Sequence, residues 1–156
     1  MLSNKVTKQK YRQHQLDVIS KIDEVDSHGL LLFHDVGTGK TITALSICKQ
    51  YVKIDRNISI VVLVNDFIKT RWVEDNKVVG IPDKNIDYIS WDMIIKVRDL
   101  DVKNTIIIVD EAHNLAKYNT QNKYGYLFKK LMSCKQLLLL TATPFEDNIN
   151  ELSYLV

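Results

Sequence analysis

Five short apolar runs, separated by segments of helical character, constrain the fold of this chain most strongly. Strands that are apolar on both faces belong inside a sheet that is covered on both sides. The segments between the runs predict helices, including one that begins near Lys40 and one over 66–76 with Asn65 as its N-cap. This alternation predicts an α/β fold of three layers with a mainly parallel central sheet. The runs are GLLLFH (29–34), ISIVVLV (58–64), IDYIS (86–90), NTIIIVD (104–110) and QLLLLTA (136–142).

Length and composition agree with one globular domain. The chain has 156 residues, 46% of them apolar and 26% charged, which is enough for one core and too apolar for a disordered chain. No apolar stretch reaches the roughly 18 residues of a membrane span, and the N-terminus lacks the apolar centre of a secretion signal, so we expect an intracellular protein without membrane contact. Cys48 and Cys134 belong to no C-x-x-C pair and are expected to be reduced core thiols.

The charges are unevenly distributed although the net charge is only +2. The first sixteen residues and the stretch from Ala112 to Phe145 are basic and contain no acid. Each stretch either binds a polyanion or is a tail and a solvated helix face, and the sequence leaves both interpretations open. Within the second stretch, aromatic residues alternate with lysines, as on a nucleic-acid platform. Helical spacing instead predicts a buried face of Tyr124, Leu127, Phe128, Leu131 and Met132.

The sequence HDVGTGKT follows the first apolar run and opens the helix after it. Glycines at a strand-to-helix junction let backbone N–H groups approach an anion, and the helix N-terminus adds partial positive charge. We therefore expect Gly37, Thr38 and Gly39 to surround the phosphates of ATP. Lys40 would reach the β and γ oxygens, and the Thr41 hydroxyl would ligate Mg²⁺. The strict pattern has a glycine where this motif has histidine, so on this motif alone a chance turn is the alternative.

Two carboxylates end another apolar run, in TIIIVDEAH. Acids at the end of a buried strand are costly to desolvate without a use. We expect Asp110 to hold Mg²⁺ through water and Glu111 to orient and deprotonate an attacking water. An acid in that position favours hydrolysis over transfer of phosphate to a small substrate, the reaction of a P-loop kinase. The expected arrangement is a magnesium-bound triphosphate across the tips of two neighbouring strands.

These motifs, in this order, resemble the first RecA-like lobe of superfamily-two helicases and translocases over nearly the whole chain. HDVGTGKT looks like motif I, in which the first glycine is often replaced. VDEAH is similar to motif II in its DEAH form, and LLTATP looks like motif III. The resemblance implies a RecA-like P-loop NTPase lobe that uses ATP and Mg²⁺, with Lys40, Asp110 and Glu111 as catalytic residues. It also implies that nucleotide state is coupled to lobe movement by His113, Thr141 and Thr143.

Weaker similarities extend the resemblance to nucleic acid. YRQHQLDVI resembles the helix before motif I, in which a glutamine contacts the adenine edge. Gln15 is the first candidate for this glutamine and Gln13 is the second. VVLVNDFIKTRW is similar to motif Ia of the Swi/Snf-like branch, including enzymes of large DNA viruses and phages, and DYISWDMI resembles the segment after it. Trp72 in this motif either packs in the core or stacks on a base. The implied nucleic-acid contacts are Asn65, Lys69 and Ser90.

The resemblance also sets expectations for the whole protein. Such enzymes close the ATP site between two lobes, and the second RecA-like lobe, which supplies an arginine finger, is absent from this chain. We expect residues 1–156 to be one ATP-binding domain, monomeric as a fragment, that hydrolyses ATP slowly, because such an arginine contributes about 10³ to 10⁵ in rate. The expected partners are DNA or RNA, with DNA favoured, in cytoplasm, nucleus, viral factory or virion. A stand-alone nucleotide-binding regulatory or docking module without motor activity is the alternative.

Overall fold

The computed structural model describes residues 16–17, 28–33, 39–91, 93, 100–115 and 125–142. In these ranges, strands and helices alternate much as the apolar runs predict. No helix in this part of the chain is both long enough and apolar enough to cross a membrane. The elements are β1 (Gly29–Phe33), α1 (Lys40–Ile54), β2 (Ser59–Val64), α2 (Asp66–Val79), a 3₁₀ turn (Asp83–Asn85), β3 (Ile86–Ser90), β4 (Thr105–Asp110), α3 (Gly125–Met132) and β5 (Gln136–Thr141).

The five strands form one parallel sheet in the order β1-β5-β4-β2-β3. Because all strands run the same way, their carboxyl ends meet at one edge, where binding sites of such folds lie. One expectation is wrong: β5 lies between β1 and β4, so the two strands that precede the phosphate motif and the acidic motif are not neighbours. One row of paired residues crosses the whole sheet: Leu31, Leu139, Val109, Leu63 and Ile89.

Each face of the sheet packs into its own hydrophobic cluster. Successive side chains of a strand point to opposite faces, so Val62 belongs to one cluster and Leu63 to the other. The first cluster includes Leu45 of α1 and Trp72 of α2, and the second includes Leu127 of α3. Helices therefore cover both faces of a central sheet, which confirms the three-layer α/β fold.

The helix boundaries follow local sequence signals. The Asn65 side chain accepts a hydrogen bond from Phe67 N at 3.1 Å and caps α2 as expected, because an asparagine oxygen satisfies one of the free N–H groups of the first turn. Gly80 ends the helix with φ 82°, a left-handed conformation that glycine adopts without steric cost. The helix of the phosphate motif begins at Lys40, also as expected.

Two side-chain expectations have different outcomes. Cys48 and Cys134 are both buried and free, which confirms them as core thiols. Met132, in contrast, is 63% exposed, although helical spacing predicts it on the buried face. It is the last residue of α3 and lies one position past Leu131, about 100° further round the helix axis. Leu127 and Leu131, one turn apart, are buried in the core as the spacing predicts.

Candidate active site

A cavity of about 330 Å³ lies at the carboxyl edge of the sheet. It is bounded by the first turn of α1, by one face of α2 and by the residues that end β4 and follow β5. The side chains of Lys40, Asp110 and Glu111 all belong to its wall, so the structure brings these three predicted site residues together. The lining residues are Gly39, Lys40, Thr41, Ile42, Ile68, Arg71, Trp72, Asp75, Asp110, Glu111 and Ala142.

The first turn of α1 supplies the cationic side of the cavity. Gly39 has φ 90°, which glycine tolerates, and no side chain caps the helix there. The first turn contains no acid, so nothing in it opposes the partial positive charge of the helix N-terminus. The half-buried Lys40 and Thr41 come directly after this glycine and line the cavity. The turn is thus suited to a phosphate group.

Asp110 is the buried acid of the cavity, with 9% of its surface exposed. Its Oδ2 accepts a hydrogen bond from Trp72 Nε1 at 2.8 Å, and its Oδ1 accepts one from Glu111 N at 3.0 Å. Burial raises the pKa of this carboxyl, and the hydrogen bond from Trp72 and the charge of Lys40 oppose that rise. A cation bound in the cavity would further favour the ionised form.

Glu111 has an unusual backbone conformation for a side chain of its size. Its φ is 52°, in the left-handed region that non-glycine residues rarely adopt. The turn around it is held by hydrogen bonds from Ala112 N to Leu140 O and from Asn114 N to Glu111 O. The Glu111 side chain is 46% exposed, so water can reach its carboxylate. Backbone strain of this kind clusters at functional sites, where the surrounding structure maintains it.

His113 joins Glu111 to the neighbouring strand. Its Nδ1 lies 3.4 Å from Glu111 Oε2 and 3.2 Å from Thr141 Oγ1 at the end of β5. A histidine two residues past Glu111 thus contacts a hydroxyl on the strand next to β4. The role of His113 and Thr141 in coupling stays a prediction, and Thr143 lies outside the described residues.

One face of α2 lines the cavity, and no motif in the sequence marks this face. The spacing i, i+3, i+4, i+7 places Ile68, Arg71, Trp72 and Asp75 on that face. Trp72 is 1% exposed, so it packs in the core and has no surface for stacking on a base. Burial raises the pKa of Asp75, and the charge of the nearby Arg71 opposes the rise. The spacing was the available signal, but it does not tell which surface the face packs against.

The cavity has the donor groups that magnesium takes from proteins. Among the described residues, no three His, Cys, Asp or Glu side chains form a metal cluster. Mg²⁺ usually binds one or two protein groups and completes its shell with phosphates and water. Thr41 and Asp110 both line the cavity, and each Asp110 oxygen has a second lone pair beside its hydrogen bond. These residues fit a magnesium ion that arrives with a phosphate ligand.

The residues predicted to contact nucleic acid lie at the carboxyl ends of β2 and β3. Asn65 directly follows Val64, which pairs with Ser90 in the sheet. Lys69 donates from Nζ to Tyr88 O at 3.1 Å, and Ser90 is 8% exposed. The structure thus brings the three together but leaves little of Ser90 at the surface. Three predicted nucleotide contacts lie outside the described residues: Gln15, Gly37 and Thr38.

Comparison with protein families matches most of the chain. The family model of the DEAD/DEAH box helicases matches residues 69–152. A second model, described as the res subunit of type III restriction enzymes, matches residues 8–80. The first match contains the acidic motif, and the second contains the phosphate motif.

Individual relatives are helicases and triphosphatases. The chain is 30% identical over 160 residues to the uncharacterized ATP-dependent helicase YqhH of Bacillus subtilis, covering 92% of the chain and 28% of that protein. It is 26% identical over 153 residues to nucleoside triphosphatase I of Melanoplus sanguinipes entomopoxvirus, covering 83% of the chain and 24% of that protein. The chain therefore spans about a quarter of the length of these relatives.

Solved structures agree with the fold. The chain superposes on the Sulfolobus solfataricus SWI2/SNF2 ATPase core in complex with dsDNA with a TM-score of 0.71 and 21% identity, over 99% of this chain and 36% of that one. The same core described without DNA gives a TM-score of 0.68 and 20% identity. These similarities identify the architecture as that of a RecA-like lobe.

Proposed function

Because the chain belongs to the DEAD/DEAH box helicase family, we propose that it is the ATP-binding lobe of a nucleic-acid-dependent ATPase. The proposed reaction is hydrolysis of ATP with Mg²⁺, which drives movement along DNA or RNA or its remodelling. The cavity that Lys40, Asp110 and Glu111 share supports this proposal most directly. Hydrolysis of a phosphoanhydride needs a cation for the phosphates, an acid for the metal and a base for water, and the three residues are of these types.

The first turn of α1 binds the triphosphate in this proposal. The ammonium of Lys40 pairs with phosphate oxygens, and the N–H groups that follow Gly39 donate to them. Thr41 and Asp110 hold Mg²⁺, which neutralises charge on the phosphates when it is bound. Asp110 keeps its carboxylate in place through the hydrogen bonds from Trp72 and Glu111.

Glu111 is the proposed general base. Its half-exposed carboxylate accepts a proton from a water that attacks the γ-phosphate, and this transfer places the proton on a carboxylate oxygen. Glu111 directly follows β4 with a left-handed backbone, and it lines the cavity together with Asp110. His113 lies beside Oε2 and restricts the carboxylate's position.

The roles of Lys40 and Glu111 are separable by experiment. Glu111→Gln removes the base but keeps size and polarity, so we expect hydrolysis to fall at least about 10²-fold with little change in affinity for a fluorescent ATP analogue. Lys40→Ala should weaken binding of the analogue itself. Glu74→Gln, at an exposed acid of α2, is the matched control and should change neither quantity. Normal hydrolysis by the Glu111→Gln protein would falsify the assignment.

Nucleic acid is the proposed partner, with DNA favoured over RNA. Support comes from the structural neighbour described in complex with dsDNA and from the position of Asn65, Lys69 and Ser90 at one edge of β2 and β3. Lys69 supplies the positive charge of this group. Because its ammonium donates to Tyr88 O, the side chain is already oriented along this edge.

Salt dependence tests the nucleic-acid contact. Each phosphate that a cation neutralises contributes about −0.9 to the slope of log affinity against log salt for duplex DNA. Lys69→Gln should therefore make the slope less negative by about 0.9. Lys77→Gln, at an exposed lysine in the last turn of α2, is the control and should leave the slope unchanged. Equal slopes in wild type and both variants would show that Lys69 does not neutralise a DNA phosphate.

We further propose that residues 1–156 form one domain that acts with a second RecA-like lobe. An arginine from that lobe would stabilise the transition state, a contribution of about 10³ to 10⁵ in rate. The test compares this chain alone with the same chain joined to a second lobe, with and without DNA. Slow hydrolysis by the chain alone and DNA-stimulated hydrolysis by the two-lobe protein are expected. The absence of any nucleic-acid effect in the two-lobe protein would instead indicate a regulatory or docking module.

A further inference from the structure

The indole of Trp72 connects helix α2 to the buried acid of the cavity. Trp72 Nε1 donates to Asp110 Oδ2 at 2.8 Å, between residues 38 positions apart in the sequence. Trp72 is 1% exposed and packs in the cluster that α1 and α2 share. A buried indole N–H needs an acceptor and a buried carboxylate needs donors. The two groups therefore satisfy each other's need for a hydrogen-bond partner.

The Asp110 carboxylate is held at both oxygens by donors from different elements. Oδ1 accepts from Glu111 N in the turn after β4, and Oδ2 accepts from the side chain on α2. Rotation of an aspartate carboxylate about its terminal torsion has broad energy wells. One donor leaves that rotation partly free, whereas two donors at different oxygens fix the carboxylate plane. The bond from Trp72 is the one that ties this plane to a neighbouring helix.

We propose that Trp72 is a positioning residue for Asp110: its N–H fixes the carboxylate in the orientation that holds Mg²⁺ beside bound ATP. This inference rests on the proposed function, because it takes Asp110 as a magnesium ligand. Groups that hydrogen-bond to a metal ligand orient it, and their loss typically costs about 10- to 100-fold in metal affinity. The loss of the Trp72 N–H should therefore act on the magnesium requirement and not on the affinity for metal-free nucleotide.

The test uses Trp72→Phe, which removes the N–H but keeps an aromatic ring in the core. Trp91→Phe is the matched control, because Trp91 is also buried, at 8% exposure, but packs in the cluster on the opposite face of the sheet. The measured quantities are the Mg²⁺ concentration that half-saturates hydrolysis and the affinity for a fluorescent ATP analogue in EDTA. For Trp72→Phe we expect the half-saturating Mg²⁺ concentration to rise about 10-fold or more, with unchanged affinity in EDTA. Trp91→Phe should change neither.

A second readout needs no hydrolysis and no substitution at Trp72. The chain has two tryptophans, so in the Trp91→Phe protein Trp72 is the only source of tryptophan emission. Addition of Mg²⁺ to this protein with ATP bound should change the emission of Trp72. The reason is that the Asp110 carboxylate, which accepts the indole N–H, would then also bind a cation. The same addition to the protein that also carries Asp110→Asn should have no effect. This measurement tests the link between Trp72 and the magnesium site even if the Trp72→Phe protein does not fold.

Three outcomes overturn the inference. One is an unchanged magnesium requirement in folded Trp72→Phe protein. Another is a Trp72 emission that does not respond to Mg²⁺. The third is a loss of analogue affinity in EDTA as large as the loss with Mg²⁺, which indicates a packing role alone. Asp110→Asn separates this failure from failure of the proposed function: if Asp110→Asn leaves the magnesium requirement unchanged, the magnesium site itself is misassigned.

Discussion

Asn76 holds the loop between α2 and β3 through both ends of its side-chain amide. Its Nδ2 donates to Ile81 O at 3.1 Å, and its Oδ1 accepts from Ile81 N at 3.2 Å. Asn76 is 4% exposed and Ile81 is 3% exposed. Asn76 also lies one turn after Trp72, so the same helix face carries the loop contact and the contact with Asp110. Replacement of this amide should loosen the attachment of α2 to the sheet.

The structure gives the size of the effect. Asn76→Ala removes both hydrogen bonds and leaves a buried N–H and a buried C=O of Ile81 without partners. Each unsatisfied buried group costs about 1 to 3 kcal/mol, so the free energy of unfolding should fall by about 2 to 6 kcal/mol for the two groups. Domains of this size have about 5 to 15 kcal/mol in total. The loss is therefore a large part of the stability of the domain.

Urea denaturation followed by circular dichroism measures this loss. With a typical slope of about 2 kcal/mol per molar urea, the midpoint should fall by about 1 to 3 M. Asn104→Ala is the control: its Nδ2 donates to Asn57 O at 3.2 Å in an exposed position, so the loss should stay within about 0.5 kcal/mol. If both variants shift the midpoint equally, burial of the Asn76 contacts is not what stabilises this loop.

Three further outcomes are expected. Glu111→Gly should be about 1 kcal/mol more stable than Glu111→Ala in urea denaturation, because φ is 52° at this position. Tyr88→Phe should be neutral or stabilising at pH 7, because the buried Tyr88 hydroxyl has no hydrogen-bond partner among the described residues. Desolvation and nearby acids raise the pKa of Tyr88 to about 12, so wild type should lose stability between about pH 10 and 12, where the unfolded chain releases this proton first, and Tyr88→Phe should lose less. Cys48 and Cys134 should resist a thiol reagent at pH 8 until urea unfolds the chain, because both are buried and burial raises the pKa of Cys134 to about 11.

The strands could be predicted from sequence because their signal is local. All six residues of β4, Thr105–Asp110, are buried, and a short β-branched apolar run is typical of a strand inside a covered sheet. The start of α1 and the cap of α2 have local signals of the same kind, a glycine and an asparagine. Met132 shows where helical spacing fails as a predictor. The apolar spacing in the sequence includes this residue, but its side chain lies outside the core.

The order of the strands could not be predicted in this way. β5 comes last in the chain but pairs with both β1 and β4. Its insertion depends on contacts between residues far apart in sequence, and neither apolar runs nor turn residues specify which strands become neighbours. Lys40 and Asp110 line one cavity nevertheless, and α1 packs in the same cluster as residues of β4 and β5.

Motifs predicted only part of the candidate site for a similar reason. Lys40, Thr41, Asp110 and Glu111 are recognisable because the chemistry of phosphate and magnesium demands those side chains at those spacings. The chemistry of phosphate and magnesium does not require a tryptophan at position 72. Its contact with Asp110 appears only when α2 is packed against the sheet, and core packing alone accounts for a buried tryptophan in the sequence.

Helix α2 is the element that the two proposed sites have in common. Asn65 and Lys69, proposed to contact nucleic acid, lie at its first turn, and Trp72 follows less than one turn after Lys69. Under both proposals, a displacement of the first turn of this 14-residue helix by nucleic acid would also displace the indole that donates to Asp110. An apolar side chain at position 72 would fill the same space without transmitting this displacement to the carboxylate. The buried polar pair would then connect the proposed ATP site to the residues proposed to contact nucleic acid, a connection that packing alone does not require.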